Sequence, residues 1–359
     1  MLQKPEVSLK AWLFNMITAF DPNNLLEILS LEHNKSYEPV DKINLLTPHY
    51  PKLLDFERPW IAWDGEVIKH DSRFWRASRP PIAMLTTHKT KVPDPYAVHR
   101  IFYPHHFMMT IKTNTKLGRI RPVSFTKARP FLADALLGQP RYHRWLTLEF
   151  LRSQQLLDRC LVNFIDGQFE DMDRLAWHKG SWPTFEPAAP YRSPALASFD
   201  EKGIDDEIKK NHRWSSIDIY PQFGAWTSQV LPNDIYEASY ISVITETSYN
   251  DDDFFLTEKT AKALLAGRIF IALGPINILR QIRSLGFLTF DGLFDESYDD
   301  FTLIHERVNA AMELLGELSK TNLDLLYEKA APILYHNQAV MKSGLLCAKA
   351  RGFIEGLAA

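Results

Sequence analysis

Residues 238–290, ASYISVITETSYNDDDFFLTEKTAKALLAGRIFIALGPINILRQIRSLGFLTF, alternate between apolar runs and helix-forming segments. The apolar runs carry the β-branched and aromatic residues that favour buried strands. Both helix-forming segments end at a glycine, which is common where a helix stops. Strands and helices that alternate in this way, with short links, predict a parallel sheet with right-handed crossovers. The predicted strands are residues 238–247, 269–273 and 287–290, and the predicted helices are residues 258–267 and 276–286.

A similar alternation occurs earlier in the chain, between residues 129 and 165. An apolar run is followed by an amphipathic segment with proline in its first turn, and then by a second apolar run. Short apolar segments before residue 126 predict further strands, and two amphipathic segments after residue 299 predict closing helices. The predicted fold class is therefore α/β. These predicted strands are residues 57–68, 79–88, 100–113, 121–125, 129–138 and 160–165, and these predicted helices are residues 140–157, 300–319 and 322–341.

The length of the chain, 359 residues, predicts more than one domain. Residues 166–235 are rich in Pro, Asp, Ser and Trp and lack a clear period, so we expect them to be loop-rich. We predict an N-terminal domain at residues 1–125, a C-terminal domain at residues 126–335, and a last helix at residues 336–359 that can cross back to the first domain.

The composition is that of a globular protein, with 45% hydrophobic and 24% charged residues and a net charge of −3. The molecule as a whole is therefore not a polycation. Two cysteines suit a reducing compartment and argue against a disulfide scaffold. No apolar run reaches the roughly 18 residues of a membrane span, and the N-terminus lacks the apolar core of a signal peptide. We expect a cytoplasmic protein without a transmembrane segment.

Polar residues follow the predicted strands at the edge where open α/β sheets bind ligands. Glu246 ends one strand, and Thr257, Glu258 and Lys259 open the next helix. A helix start suits a phosphate, and Lys259 adds a point charge for a diphosphate. A carboxylate is unsuited to phosphate but accepts hydrogen bonds from sugar hydroxyls. These residues predict a sugar-nucleotide site; the simpler alternative is that Glu258 complements the helix dipole and Lys259 is solvated.

The segment around Thr257-Glu258-Lys259 resembles the donor-binding segment of GT-B glycosyltransferases, close in style to the α-1,3-fucosyltransferases. Those proteins carry T/S-E-K at a helix start, a small-residue helix and an apolar strand that ends in a Gly-Pro-like turn, as residues 257–275 do. GFLTFDGLFDESYDD, residues 286–300, resembles a glycosyltransferase-like group common in phage and environmental bacterial genomes. The resemblance covers about residues 129–165 and 238–340, and implies a GT-B-like fold of two Rossmann-like domains with C-terminal closing helices.

The resemblance also implies roles for single residues. Glu258 would contact the ribose or sugar of a nucleotide-sugar donor, and Lys259 its diphosphate. Arg141 or Arg144, at the mouth of the predicted helix 140–157, would reach the donor phosphates. The implied reaction is transfer of a sugar to an acceptor hydroxyl, with inversion at the anomeric carbon and without a required metal ion.

The acceptor is open at this point. No Asp or Glu occurs from residue 95 to residue 133, where seven Lys and Arg and three His lie, and such a stretch could face a phosphate backbone. The alternative is a basic surface paired with acids elsewhere. A glycan is the expected acceptor, a hydroxymethylated base in DNA is the second candidate, and a non-catalytic module that binds nucleotide or nucleic acid is the third.

The catalytic base is also open, since Asp64, His105 and His106 are all candidates to deprotonate an acceptor hydroxyl. Joint metal binding by His105 and His106 is not expected, because neighbours on a predicted strand point to opposite faces. EDMD (170–173) and DDD (251–253) fit Asp-x-Asp metal motifs but are more typical of solvated turns, and the basic residues already suit a diphosphate.

Overall fold

The computed structural model describes residues 105–125, 128–138, 141–164, 191–196, 229–249 and 253–347, and the backbone of short strands outside these ranges. The strands are β1 (Asn44–Leu46), β2 (Trp60–Asp64), β3 (Ala83–Thr86), β4 (His88–Thr90), β5 (Arg100–Phe102), β6 (Phe131–Gly138), β7 (Cys160–Phe164), β8 (Tyr191–Arg192), β9 (Asp218–Tyr220), β10 (Ala225–Trp226), β11 (Ser239–Thr245), β12 (Asp253–Phe255) and β13 (Ile269–Leu273). The helices are α1 (His105–Lys116), α2 (Tyr142–Ser153), α3 (Asn233–Ala238), α4 (Glu258–Leu265), α5 (Ile278–Ser284), α6 (Ile304–Leu318) and α7 (Leu323–Lys342).

The central sheet has five strands in the order β13-β11-β6-β7-β8. The first four are parallel, and the two-residue β8 is antiparallel at one edge. Every residue of β7, β11 and β13 is buried, as expected for a parallel sheet covered on both faces. The α/β prediction is therefore confirmed at the level of a mostly parallel sheet with helices.

The strand order reverses between β6 and β11. From β6 the chain runs through α2 to β7 on one side, and it later returns to β11 on the other side of β6. Right-handed crossovers in opposite directions put α2 and α4 on opposite faces of the sheet. Helix α4 packs against α1 and α7, and α2 packs against α6. The reversal creates a crevice at the carboxyl ends of β6 and β11, where sheets of this kind bind ligands.

A second sheet lies in the first half of the chain. Strands β1, β2, β3 and β5 are neighbours in that order, and all the pairs are parallel. Asp64, Thr86 and Phe102, the last residues of three of these strands, are register partners at one edge. Strand β4, which follows β3, pairs instead with β12, directly before α4. The predicted division into domains stays a prediction.

The strand predicted at residues 287–290 is wrong. Phe287 and Phe290 are buried, but the segment forms no strand with the central sheet. The side-chain amide of Asn337 on α7 accepts a hydrogen bond from Leu288 N at 2.8 Å and donates one to Leu288 O at 2.9 Å. One amide therefore satisfies the backbone groups that a neighbouring strand would have bonded.

The strand predicted at residues 100–113 is also wrong beyond Phe102, because α1 begins at His105. Phe107, Thr110 and Asn114 are buried, and their spacing of three and four residues is that of a helix face. A proline directly before the helix is a common start signal. The strand alternation assumed for the neighbouring histidines therefore does not apply.

The strand predicted at residues 121–125 is absent, and arginines of this basic stretch hold it against the segment before β11. Arg119 donates to a main-chain carbonyl, Arg121 forms an exposed ion pair, and Arg129 donates to main-chain carbonyls, including that of Tyr236. These three side chains are therefore used within the protein, but only Arg121 pairs with acidic residues, as the alternative of a paired basic surface expected. Their acceptors include Leu231 O at 2.9 Å from Arg119 Nη2, Glu237 Oε1 at 2.5 Å from Arg121 Nη1, and Ser239 O at 3.1 Å from Arg129 Nη1.

A buried ion pair joins three strands of the central sheet. Arg268, directly before β13, lies 3.2 Å from Asp134 Oδ2 on β6, and both side chains are almost fully buried. Ser239 and Ser242 on β11 each donate to the same oxygen at 2.8 Å. Burial raises the pKa of Asp134, while the guanidinium and the two hydroxyls act against that rise. The carboxylate depends on these partners, because an isolated charge is costly in the interior.

Arg268→Ala should lower the free energy of unfolding by about 3–5 kcal/mol, because it leaves a buried carboxylate without its counter-ion. Urea denaturation measures the change. Arg121→Ala is the matched control: it removes a half-exposed ion pair and should cost about 0–1 kcal/mol. Equal losses in the two variants would show that the buried ion pair contributes no more to the free energy of unfolding than an exposed one.

Gly118 and Gly267 have similar backbone conformations but differ in the space available for a side chain. Gly118 (φ 62°) and Gly267 (φ 61°) both take the left-handed conformation that disfavours other residues. A Cβ at Gly267 would lie 2.4 Å from Val123 Cγ2, whereas a Cβ at Gly118 would meet nothing within 4 Å. Gly267 thus lets the segment before β6 approach the end of α4.

Gly267→Ala should therefore destabilise the protein by about 1–3 kcal/mol more than Gly118→Ala, since both carry the backbone strain but only the first overpacks the core. Thermal and urea unfolding of the two variants measure the difference. Similar losses would mean that Val123 moves aside without cost.

Candidate functional site

The predicted site residues lie around the crevice between β6 and β11. Helix α2 begins after β6, and α4 begins after β11 and β12, so both helix starts face the carboxyl edge of the sheet. Gly274 follows β13 at the same edge, where a Cβ would lie 3.4 Å from Glu246 Cβ. The three strand ends thus converge as the sequence predicted, and the chemistry depends on what lines them.

The start of α2 has the wrong charge for an isolated helix. Its N-cap residue is Arg141, in an extended conformation (φ −144°, ψ 154°), and this side chain forms no capping hydrogen bond. The first turn contains no acidic residue but includes Arg144. Cations are unfavourable at the positive end of a helix dipole. An anion bound at this end would remove the conflict and would meet the first amide groups of the helix.

Arg144 is a buried cation that contacts two main-chain carbonyl groups. Its Nη2 lies 3.4 Å from Thr245 O and 3.3 Å from Glu246 O, at the end of β11. Burial and then repulsion by Arg141 lower its pKa to about 9, although the carboxylates of Glu246 and Glu258 act in the opposite direction.

Between the two arginines lies His143, which sequence reasoning did not assign. It is fully buried, and its Nε2 lies 2.8 Å from Glu246 O. A carbonyl only accepts, so Nε2 carries the proton and Nδ1 is an acceptor. Burial, followed by the charges of Arg144 and Arg141, holds the pKa of His143 well below its ordinary value, despite the hydrogen bond to the carbonyl. Nδ1 has no hydrogen-bond partner among the described residues.

The carboxylate of Glu246 joins the end of β11 to the start of α4. It is fully buried and accepts four hydrogen bonds, from two main-chain amides and two hydroxyls. Most of the hydrogen-bond acceptor capacity of this carboxylate is therefore used inside the protein. The sequence had instead suggested that it contacts hydroxyl groups of a sugar-nucleotide. The donors are Thr247 N at 3.2 Å, Thr257 N at 3.0 Å, Thr257 Oγ1 at 2.5 Å and Thr260 Oγ1 at 2.5 Å.

The adjacent charges at the start of α4 form a compact network. Thr257 caps the helix as predicted: its hydroxyl accepts from Lys259 N at 3.4 Å. Lys259 Nζ lies 2.7 Å from Glu258 Oε1 and 3.3 Å from the hydroxyls of Thr247 and Thr257. The lysine is one-fifth exposed, so it is positioned by three oxygens and still open to solvent.

Glu258 also faces the first half of the chain. Its Oε2 lies 3.7 Å from Nδ1 of His106, in the first turn of α1. Burial acts to raise the pKa of this carboxyl, but Lys259, His106 and Lys262 together hold it well below its ordinary range. Glu258 is therefore ionised, and each of its oxygens has a cationic or potentially cationic neighbour.

Lys262, one turn further along α4, is a second residue that sequence reasoning missed. Burial lowers its pKa to about 8, with a further contribution from Lys259 that Glu258 opposes. Among the described residues, no acidic side chain lies within 4 Å of its ammonium group. The sequence signal that places Lys262 near Glu258 is their spacing of four residues on one helix.

Basic side chains outnumber acidic ones among the described residues at the two helix starts. Four cations and two carboxylates lie there, and the cations with lowered pKa values belong to the buried part of this group. These cations lie at the edge where a ligand would bind. The cations are Arg141, Arg144, Lys259 and Lys262, and the carboxylates are Glu246 and Glu258.

The structure thus brings five predicted residues to one edge, and places the sixth, Arg141, at the α2 start, where its charge acts on Arg144 and His143. The ligand roles of all six stay predictions. The side chains of Asp64 and His105 lie outside the described residues, as does the EDMD segment. In the described part of the chain, no group of three or more His, Cys, Asp or Glu is placed to hold a metal ion, and no helix could cross a membrane.

Comparison of the chain with protein-family models, with curated proteins and with solved structures gave no match. The site is therefore interpreted from its own geometry.

The start of α5, which follows the edge strand β13, contains a titratable cap. Asp299 accepts hydrogen bonds from Ile278 N at 3.0 Å and Leu279 N at 2.8 Å, at the start of α5. Burial raises its pKa to about 6 from an ordinary value of 3.8, although the two amides act to lower it. Between these pH values the folded state binds more protons than the unfolded state, so stability must fall as the pH rises.

We expect the stability of the wild type relative to Asp299→Asn to decrease by about 2–3 kcal/mol between pH 4 and pH 7, since only the wild type ionises at this position. Urea denaturation at both pH values measures the difference. Asp291→Asn, which removes the same charge from an exposed position, is the control and should show little change. A wild-type advantage that grows with pH would contradict the assignment.

Proposed function

We propose that the protein is a glycosyltransferase that moves a sugar from a nucleotide-sugar donor to an acceptor hydroxyl. The donor diphosphate would lie in the crevice between β6 and β11, against the start of α2. Arg141 and Arg144 would contact its oxygens together with Lys259 from the opposite side of the crevice. The proposal agrees with the fucosyltransferase-like sequence of residues 257–275.

The observation that carries the proposal is the group of basic side chains at the start of α2, at the carboxyl edge of the sheet. A basic first turn without a capping side chain destabilises α2, and burial of Arg144 adds to the cost. This arrangement lowers the stability of the folded protein, and a bound diphosphate would offset the loss through charge-assisted hydrogen bonds. Preformed cations at this edge would also stabilise the negative charge that develops on a leaving nucleoside diphosphate.

The two helix starts support different parts of this proposal. The start of α4 is already capped by Thr257, whose amide and hydroxyl also bond to Glu246. At the start of α2, by contrast, the N-cap side chain makes no capping hydrogen bond and the first turn contains no acidic residue. We therefore assign the diphosphate to α2, and to α4 only through the side chain of Lys259.

The acceptor is proposed to be a glycan. The main support for DNA was the basic stretch from residue 95 to residue 133, and three of its arginines are used in contacts within the protein. The two parallel sheets support a GT-B-like arrangement, with the acceptor on the side of the first sheet. We further propose an inverting reaction that requires no metal ion.

Binding is tested by thermal shift with GDP, UDP, ADP, CMP and dTDP and their sugars. A ligand that binds only the folded state at about 100 times its Kd stabilises by about 2.7 kcal/mol, which corresponds to a rise in Tm of about 5 °C. One nucleotide class should give such a shift, and Lys259→Ala should reduce affinity by about 10–100-fold. Lys320→Ala removes an exposed lysine and should leave the shift unchanged.

Absence of a shift with every nucleotide would contradict the proposal. A selective shift without release of nucleoside diphosphate from any donor–acceptor pair would instead identify a non-catalytic binding module.

A further inference from the structure

We infer that His106 is the general base of the proposed transfer, with Glu258 holding its imidazole ring in place. The inference rests on the proposed function, since it needs an acceptor hydroxyl and a nucleotide-sugar donor. It assigns the residue that the sequence left open among Asp64, His105 and His106.

The first support is where His106 lies in the chain and in space. It belongs to the first turn of α1, four residues after the last residue of β5, and thus near the carboxyl edge of the first parallel sheet. Glu258 begins α4 at the carboxyl edge of the central sheet. Their side chains approach within 3.7 Å, between Nδ1 and Oε2. His106 therefore lies where the edges of two parallel sheets meet, and ligands bind at such edges.

The second support is the orientation of the ring. Nδ1 faces the carboxylate of Glu258, so Nε2 lies on the opposite side of the imidazole. Nε2 is buried, so an acceptor hydroxyl reaches it only when the groups that cover it move aside. The ring of Phe255 packs edge-on against it, with centroids 5.3 Å apart. Glu258 is itself held through its other oxygen by Lys259 at 2.7 Å. A carboxylate at one nitrogen and the reacting group at the other is the arrangement that orients a histidine base and stabilises its protonated form.

The third support is that the residue beside His106 and the residue proposed to bind the leaving group are neighbours in the chain. Oε2 of Glu258 lies 3.7 Å from Nδ1 of His106, which is a charge contact, and the next residue, Lys259, is proposed to contact the donor diphosphate. An acceptor hydroxyl beside His106 would therefore lie close to the sugar that is attached to that diphosphate. Proximity of this kind is a large part of catalysis by two-substrate enzymes.

The chemical step is a direct displacement at the anomeric carbon. The acceptor hydroxyl gives its proton to Nε2 of His106 as its oxygen forms a bond to the anomeric carbon. The bond between that carbon and the diphosphate oxygen breaks, and the electron pair leaves with the nucleoside diphosphate. Lys259 and the arginines of α2 balance the charge on the leaving group, and Glu258 balances the charge on the imidazolium.

The test uses the full-length protein and the nucleotide sugar that raises its Tm most. Donor Kd is measured by calorimetry, and kcat by release of nucleoside diphosphate with a panel of simple glycosides as acceptors and with water alone. His106→Ala should lower kcat by about 10²–10⁴-fold and leave the donor Kd within about twofold. Imidazole added at about 50 mM should restore part of the rate to His106→Ala, because it replaces the missing base.

Three further variants sharpen the test. Glu258→Gln should lower kcat by about tenfold or more, and added imidazole should not restore it, because the native ring is present. His305→Ala removes an exposed histidine on α6 and should behave as the wild type. Asp64→Asn changes the other candidate at the edge of the first sheet and should keep most of the rate.

The outcomes separate the two proposals. A wild type that binds no nucleotide sugar would overturn both the function and the role of His106. Binding without release of nucleoside diphosphate would leave the binding site standing and overturn the role of the base. Loss of Tm and of donor affinity in His106→Ala, without rescue by imidazole, would reassign the residue to a structural contact. A full rate in His106→Ala with a large loss in Asp64→Asn would move the base to the end of β2.

Discussion

The geometry of the site depends on the carboxylate of Glu246. A single buried side chain accepts four hydrogen bonds and thereby fixes the end of β11 against the start of α4. Its main-chain carbonyl, on the same residue, orients His143 and contacts Arg144 from α2. The helices on both sides of the crevice are therefore positioned by one residue. A buried carboxylate with this many donors is costly to disturb, because each lost acceptor leaves a polar group without water.

The sequence predicted the elements whose signals are local. The strands β11 and β13, the helix α4 and its Thr257 cap were readable because an apolar period, a capping residue and a glycine stop agree with one another. The wrong assignments arose where tertiary partners decide the outcome. Residues 287–290 have the composition of a strand, yet Asn337, about fifty residues later in the chain, bonds the backbone of Leu288, and Glu296 accepts from the amide of Phe290. The histidines of α1 were assigned to a strand because the preceding β5 gave the segment its apparent pattern.

The site was predictable in location and less so in detail. The carboxyl edge of a parallel sheet is a rule of topology, so Glu258, Lys259 and the arginines of α2 could be brought together in advance. Burial could not be predicted in this way. Nothing in the sequence shows that His143 is enclosed, or that Lys262 lies close enough to Glu258 and Lys259 for their charges to affect its pKa. The different roles proposed for the starts of α2 and α4 could be assigned only from the hydrogen bonds of Thr257. A threonine that caps a helix and one that contacts a ligand look alike in sequence.

The short ladder between β4 and β12 has a mechanical consequence. Three residue pairs, from Asp253 with Thr90 to Phe255 with His88, join a segment of the first half of the chain to the residues just before Thr257. A two-stranded ladder of this length adds little stability by itself. It nevertheless ties the chain directly before α4 to the segment that follows β3. A change in the position of β4 would therefore alter how the chain enters the first turn of α4, which carries Glu258 and Lys259.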